Sequence, residues 1–295
     1  MKKLKVLLFI PLFFALAACN SGVQEQPADE EKTTDRNGME ESENVLDVEE
    51  SADMKSEDEQ TKTKEIEAEV NQTVSEPLYE LTDSWSIVPI KEETDENVIL
   101  LTIDDAPEHY SLEMANTLKE LDVPAIFFVN GHFLESGAKK EELKQIHEMG
   151  FEIGNHTYNH QRLTEVDEAT QKEEILSLSN LIEEITGEKP EFFRAPNGAN
   201  TEYATALVEE EGMLLMNWTY GYDYFEPYMD TEKLKTAMIT GEGPEVDVPY
   251  SLLKPGAILL MHDRQWTAEA LADIVNGLRE KGYEFADPEA IKLPE

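Results

Sequence analysis

The residues that could do chemistry stand in a few short segments: Asp104-Asp105, His156 with His160, Arg194, Asp223 and His262. Two histidines four residues apart can lie on one side of a helical turn, close enough to share a metal ion. One of the two adjacent aspartates could supply a third ligand, leaving positions for water and substrate, as a catalytic site does and a closed structural site does not. The remaining aspartate would be free to take a proton from water. His262 is the natural acid for a leaving amine, and Arg194 can hold the base aspartate in place. Each piece alone has a plainer use. An aspartate pair often starts a helix, where carboxylates meet free N–H groups, and single histidines often sit on a surface.

What must position these residues is an alternation of short apolar runs and longer amphipathic stretches. Residues 98–103, 125–129, 151–153, 192–194, 214–218 and 258–261 read as strands. Residues 111–121, 139–149, 167–186, 201–212 and 267–281 read as helices, the first capped by Ser111. Roughly seven such units predict an α/β fold on a parallel sheet, open or closed into a barrel. In such folds chemistry lies at the carboxyl ends of strands. Every segment named above falls just past a strand, and so do His132 and Trp266, which could touch a substrate or simply pack.

Taken in order, these segments resemble the polysaccharide deacetylases of carbohydrate esterase family 4, the NodB-homology domain. Thr102 to Pro107 matches its Thr-Phe-Asp-Asp-Gly-Pro motif, His156 to His160 its His-(Ser/Thr)-x-x-His motif, and Arg194 to Gly198 its Arg-x-Pro-x-Gly motif. Asp223-Tyr224 stands for Asp-Trp, and Leu260-Met261-His262 for Leu-x-His. The resemblance covers about residues 97–285 and implies a distorted (β/α) barrel of about seven parallel strands. It implies Asp105, His156 and His160 as ligands of a divalent metal, zinc before cobalt, nickel, manganese or iron. It also implies Asp104 as base, Arg194 orienting it, His262 as acid paired with Asp223, and the Asn197 N–H as oxyanion donor. Tyr224 and Leu260 would line the substrate groove. The sequence departs from the pattern at Ala106, Asn197 and Tyr224, where the family has glycine, tyrosine and tryptophan. If the Ala106 position needs a positive φ, alanine is strained there and shifts Asp105.

The activity so implied is removal of N-acetyl groups from amino sugars of a cell-envelope glycan. A catalytically weak wall-binding protein and an O-acetyl esterase are the competing readings.

Charge and the amino terminus bound where this happens. The 295 residues carry a formal charge of −40, which gives no footprint for nucleic acid and excludes it as partner. Lys2, Lys3 and Lys5 precede an apolar run ending in Leu16-Ala17-Ala18-Cys19, too short to span a bilayer and built like a secretory leader. The last four residues resemble a bacterial lipobox, which implies removal of residues 1–18, a lipid on Cys19 and residence on the outer face of the cytoplasmic membrane. Residues 19–75 hold 18 acidic and 5 basic side chains and no aromatic, so they should form a disordered tether. Residues 76–295 form the catalytic domain, expected to be monomeric.

Overall fold

The computed structural model describes residues 76–294. The leader, Cys19 and the acidic tether lie outside the described residues.

Among the described residues there are nine strands and six main helices. A small antiparallel hairpin, β1 (Tyr79–Leu81) with β2 (Ile87–Pro89), precedes the main sheet. That sheet has seven strands, all parallel: β3 (Val98–Ala106), β4 (Ile126–Val129), β5 (Glu152–Asn155), β6 (Phe192–Phe193), β7 (Leu214–Leu215), β8 (Ile258–His262) and β9 (Glu284–Phe285). The order is β7-β6-β5-β4-β3-β8, with β9 beside the start of β3. Past β7 the chain turns onto β8: the Thr219 N–H donates to the Ile258 carbonyl and the Leu260 N–H to that of Tyr220. The sheet thereby curls into a distorted barrel.

Outside it run α1 (Ser111–Glu120), α2 (Gly137–Glu148), α3 (Glu168–Thr186), α4 (Glu202–Glu210), α5 (Thr231–Thr240) and α6 (Gln265–Glu280). Their starts follow capping chemistry. Asp167, Thr201 and Asp230 accept the N–H three residues on, and α3 stops at Gly187 in the left-handed region, φ 88°. The sequence expectation fails at α1. Tyr110, not Ser111, occupies the cap position without a side-chain cap bond, and Asp263 takes over from across the fold. Its carboxylate accepts the N–H groups of His109, Tyr110 and Ser111 and the Ser111 hydroxyl.

Strand alternation builds the site. Ile99, Leu101 and Ile103 join the layer packed under the helices, with Phe127, Leu259 and Met261. Val98, Leu100, Ile126, Phe128, Phe192 and Ile258 fill the barrel interior, plugged by Tyr79, Ile87 and Ile291. With a period of two, Thr102 and Asp104 continue the inward row of β3, and Leu260 and His262 that of β8. Asp104 stands opposite His262 in the register. On β5, a Cβ at Gly154 would meet the Phe128 ring at 2.5 Å, so only glycine leaves room for that ring beneath His156. Polar side chains thus form the uppermost layer of an apolar barrel.

No helix among the described residues is long and apolar enough to cross a membrane.

Candidate active site

Arg194, which follows β6, is fully buried and reaches under the site. Its Nη1 donates to Asp104 Oδ1 at 2.6 Å and to the Thr102 hydroxyl at 2.8 Å. Its Nε and Nη2 donate to the Met216 and Asn217 carbonyls, and its guanidinium lies 4.2 Å from the centre of the Phe128 ring. Burial pulls the arginine pKa down, and Asp104 opposes the shift. Asp104 is 2% exposed, so this is a buried ion pair. Breaking such a pair strands a charge, and Arg194→Met is expected to lower folding stability by about 3–5 kcal/mol. Urea denaturation followed by tryptophan fluorescence measures it.

His262 is held from the opposite side. Asp223 Oδ1 lies 2.8 Å from His262 Nδ1, and Oδ2 accepts the His262 N–H at 2.6 Å and the Thr267 hydroxyl at 2.9 Å. Nδ1 is thereby occupied, and Nε2 is the nitrogen left for the cleft. Burial pulls the imidazole pKa down, but the charge and hydrogen bond of Asp223, with Asp104 and Asp105, push it up to about 9. The ring is therefore charged at neutral pH.

Between these two anchored groups lie Asp105, His156 and His160, whose ligand atoms are within 4.8 Å of one another. Donors about 2 Å from one ion sit no more than about 4 Å apart, so a small contraction would seat a metal. The His156 Nδ1–H donates to the Arg194 carbonyl at 2.7 Å, which frees Nε2 as a lone-pair donor. Burial holds its pKa below the usual range and keeps it neutral, as a ligand must be. His160 Nε2 lies 3.6 Å from Asp105 Oδ1, and Arg264 donates to Asp105 Oδ2 at 2.7 Å. Two imidazoles and a carboxylate suit a borderline divalent cation, so the residues present fit the group.

The histidines do not share a helical turn as their spacing suggested. They sit on an irregular loop after β5, in which Thr157 and His160 have φ of 67° and 55°. Side chains from the end of β5 and from just past β4 secure its start. Asn130 Nδ2 donates to the His156 and Thr157 carbonyls, and Asn155 Oδ1 accepts the Thr157 N–H. Ala106 also departs from expectation: the positive φ falls on Asp105, at 61°, while Ala106 continues β3 and is buried in the core. Alanine is unstrained there. Asn197 is at φ 57°, ψ 16°, a conformation asparagine tolerates better than most side chains, and it stands exposed at the rim.

Asp104, Asp105, His156, His160, Asn197 and His262 line one cleft of about 530 Å³, a size usual for small-ligand sites. Tyr224 is exposed beside it with its ring 5.5 Å from that of His262, and Leu260 forms part of the lining although only 2% exposed. Trp266 also lines the cleft, where its indole N–H donates to the Asp223 carbonyl. His132 instead packs on Phe133 with Nδ1 near the Tyr158 carbonyl. Sequence reasoning missed Trp218, Met229 and Arg264 of the lining. Trp218 ends a strand read from the sequence, where it was given no role, and Arg264 lies two residues past His262.

A barrel with an anchored carboxylate and an anchored imidazole facing three side chains that could hold a metal fits the frame of a hydrolase. The sequence model of the family described as polysaccharide deacetylase matches residues 91–216. A solved family 4 carbohydrate esterase from Bacillus anthracis is 32% identical, covering 65% of this chain and 80% of that one with a TM-score of 0.51. The peptidoglycan-N-acetylmuramic acid deacetylase of Bacillus subtilis is 29% identical over 70% of this chain and 74% of its own. A family 4 pseudoenzyme from Bacillus anthracis is 25% identical with a TM-score of 0.57, and this chain covers 64% of its length. The chain belongs to the polysaccharide deacetylases of carbohydrate esterase family 4.

Proposed function

We propose that this chain hydrolyses N-acetyl groups of amino sugars in a cell-envelope polysaccharide, peptidoglycan N-acetylglucosamine foremost, with zinc on Asp105, His156 and His160. The observation that carries this reading is the pairing of Asp104 with His262 across adjacent strand ends, each anchored by an opposite charge. A pure binding protein has no use for a held base and a held acid beside a ligand set.

A divalent cation held by Asp105, His156 and His160 would polarise the acetamide carbonyl and lower the pKa of water. Asp104, fixed by Arg194, accepts the proton as water attacks the carbonyl carbon. The Asn197 N–H donates to the oxygen on which charge develops. His262 Nε2–H protonates the sugar nitrogen as the C–N bond breaks, giving acetate and a free amine, while Asp223 steadies the imidazolium until then. Tyr224, Trp218 and Trp266 offer rings against which a sugar can lie.

A second reading, a catalytically weak wall-binding protein, draws on the likeness to a pseudoenzyme and on Asn197. A third, an O-acetyl esterase, needs the same groups. Product analysis on purified peptidoglycan separates all three. The deacetylase yields acetate and new amines in equal amounts; acetate without amines means an esterase, and retention on the glycan without acetate means a binder.

The place of work we propose is the outer face of the cytoplasmic membrane, with a lipid on Cys19, residues 19–75 as tether and a monomeric domain facing the wall. The run ending Leu16-Ala17-Ala18-Cys19 supports it. Cys19→Ser is expected to abolish metabolic labelling by a fatty acid and to shift the protein out of the membrane fraction.

A further inference from the structure

We infer that Glu174, on α3, is the positioning residue that holds His160 in its ligating pose, an inference that rests on the metal-site reading above. Glu174 lies outside every motif named so far, and its side chain is buried, 3% exposed. Oε2 accepts the Asn159 backbone N–H at 2.7 Å, and Oε1 accepts Asn159 Nδ2 at 2.7 Å and Gln161 Nε2 at 3.3 Å. The Glu174 backbone carbonyl accepts the Tyr158 N–H at 2.9 Å. His160 is thus bracketed, because the residue before it and the residue after it both donate to one carboxylate.

The bracket matters because of the backbone between. At φ 55° His160 occupies a region that L-residues with large side chains rarely adopt, and such a conformation persists only where its surroundings enforce it. Relaxation to an ordinary φ would swing the imidazole away from Asp105. His156 has anchors of its own in the Arg194 carbonyl and Asn130. The contacts of His160 are with the other candidate ligands, the His156 ring 5.0 Å away and Asp105, and they cannot fix its backbone in advance. Glu174 supplies that fixing. Burying a carboxylate among neutral donors is costly, and bonds of 2.7 Å to an ionised acceptor are stronger than a neutral amide oxygen would make.

The test uses the full chain, stripped with EDTA and titrated with cobalt(II), whose visible absorption reports coordination geometry and whose affinity is read by chelator competition. Wild type is expected to take up cobalt(II) with a defined visible band. Glu174→Ala is expected to bind about 10- to 100-fold more weakly, with an altered band. In a His160→Ala background the same substitution should cost nothing further, because its effect passes through His160. Asn159→Ala removes one donor from an exposed side chain and should weaken binding in the same direction by less. It carries the test if Glu174→Ala does not fold. Wild-type affinity and spectrum in the variants would overturn the inference. So would an equal loss with and without His160, since Glu174 would then be a general support. Failure of the wild type itself to take up cobalt(II) would remove the metal site, and the inference with it.

Discussion

Asp104→Asn is expected to lower kcat by about a hundred- to ten-thousand-fold while leaving glycan binding in place. The magnitude is that of a lost general base. Asparagine keeps the shape of the side chain and an oxygen toward Arg194, but it cannot take a proton from water. Asp104 is not among the three mutually close candidate ligands, so the variant should keep the affinity for metal that the proposal expects. Its Oδ2 lies 3.5 Å from His156 Nε2, near the donor set without being needed to complete it. Some stability is also lost, because the buried guanidinium of Arg194 loses its counter-charge. Rates therefore need to be compared on protein shown folded by its denaturation curve. Turnover at the wild-type rate would eliminate Asp104 as the base.

The second large effect concerns pH. In the proposed mechanism His262 must carry a proton to give to the leaving amine, and its pKa is pushed up to about 9, so kcat/KM should fall as pH rises through about 9. Asp223→Asn removes the nearest charge that favours the imidazolium. Burial, which disfavours the charged ring, then dominates, and the alkaline limb is expected to move down toward or below the ordinary value of about 6.5. At pH 8 that shift alone reduces the protonated fraction about thirtyfold. Stability follows the same sign. A raised imidazole pKa lends stability that is full below about pH 6.5 and lost as pH rises through about 9. A kcat/KM profile in which wild type and variant share one alkaline limb would separate Asp223 from the acid's titration.

Much of this was legible in the sequence because the barrel writes itself in contiguous runs. The apolar stretch at 98–103 could only be a buried strand, and the polar residues just after it could only lie at its carboxyl end. Strands β6 and β7 were read too long, since only two residues of each form ladder pairs before the chain turns into the cleft. Helix α5 escaped notice. Its buried face consists of Leu234, Ala237 and Met238 amid polar residues, and its packing partner α6 lies far along the chain.

The site was legible in its residue types and not in its backbone. Nothing in a Thr-x-x-His spacing announces that Thr157, a β-branched residue, takes φ 67°, or that the following histidine is left-handed as well. Those angles are held by Asn130 just past β4, Asn155 at the end of β5 and Glu174 on α3. Asp263 is similar. Its role as the cap of α1 depends on a contact across some 150 residues, which no local pattern encodes.

Acetate release from N-acetylglucosamine oligomers and from peptidoglycan, before and after EDTA and with zinc restored, tests metal-assisted deacetylation most directly. Release that disappears on stripping, returns with zinc and is matched by new amines is the expected result. Release untouched by stripping, or none from either glycan with zinc demonstrably bound, would contradict it.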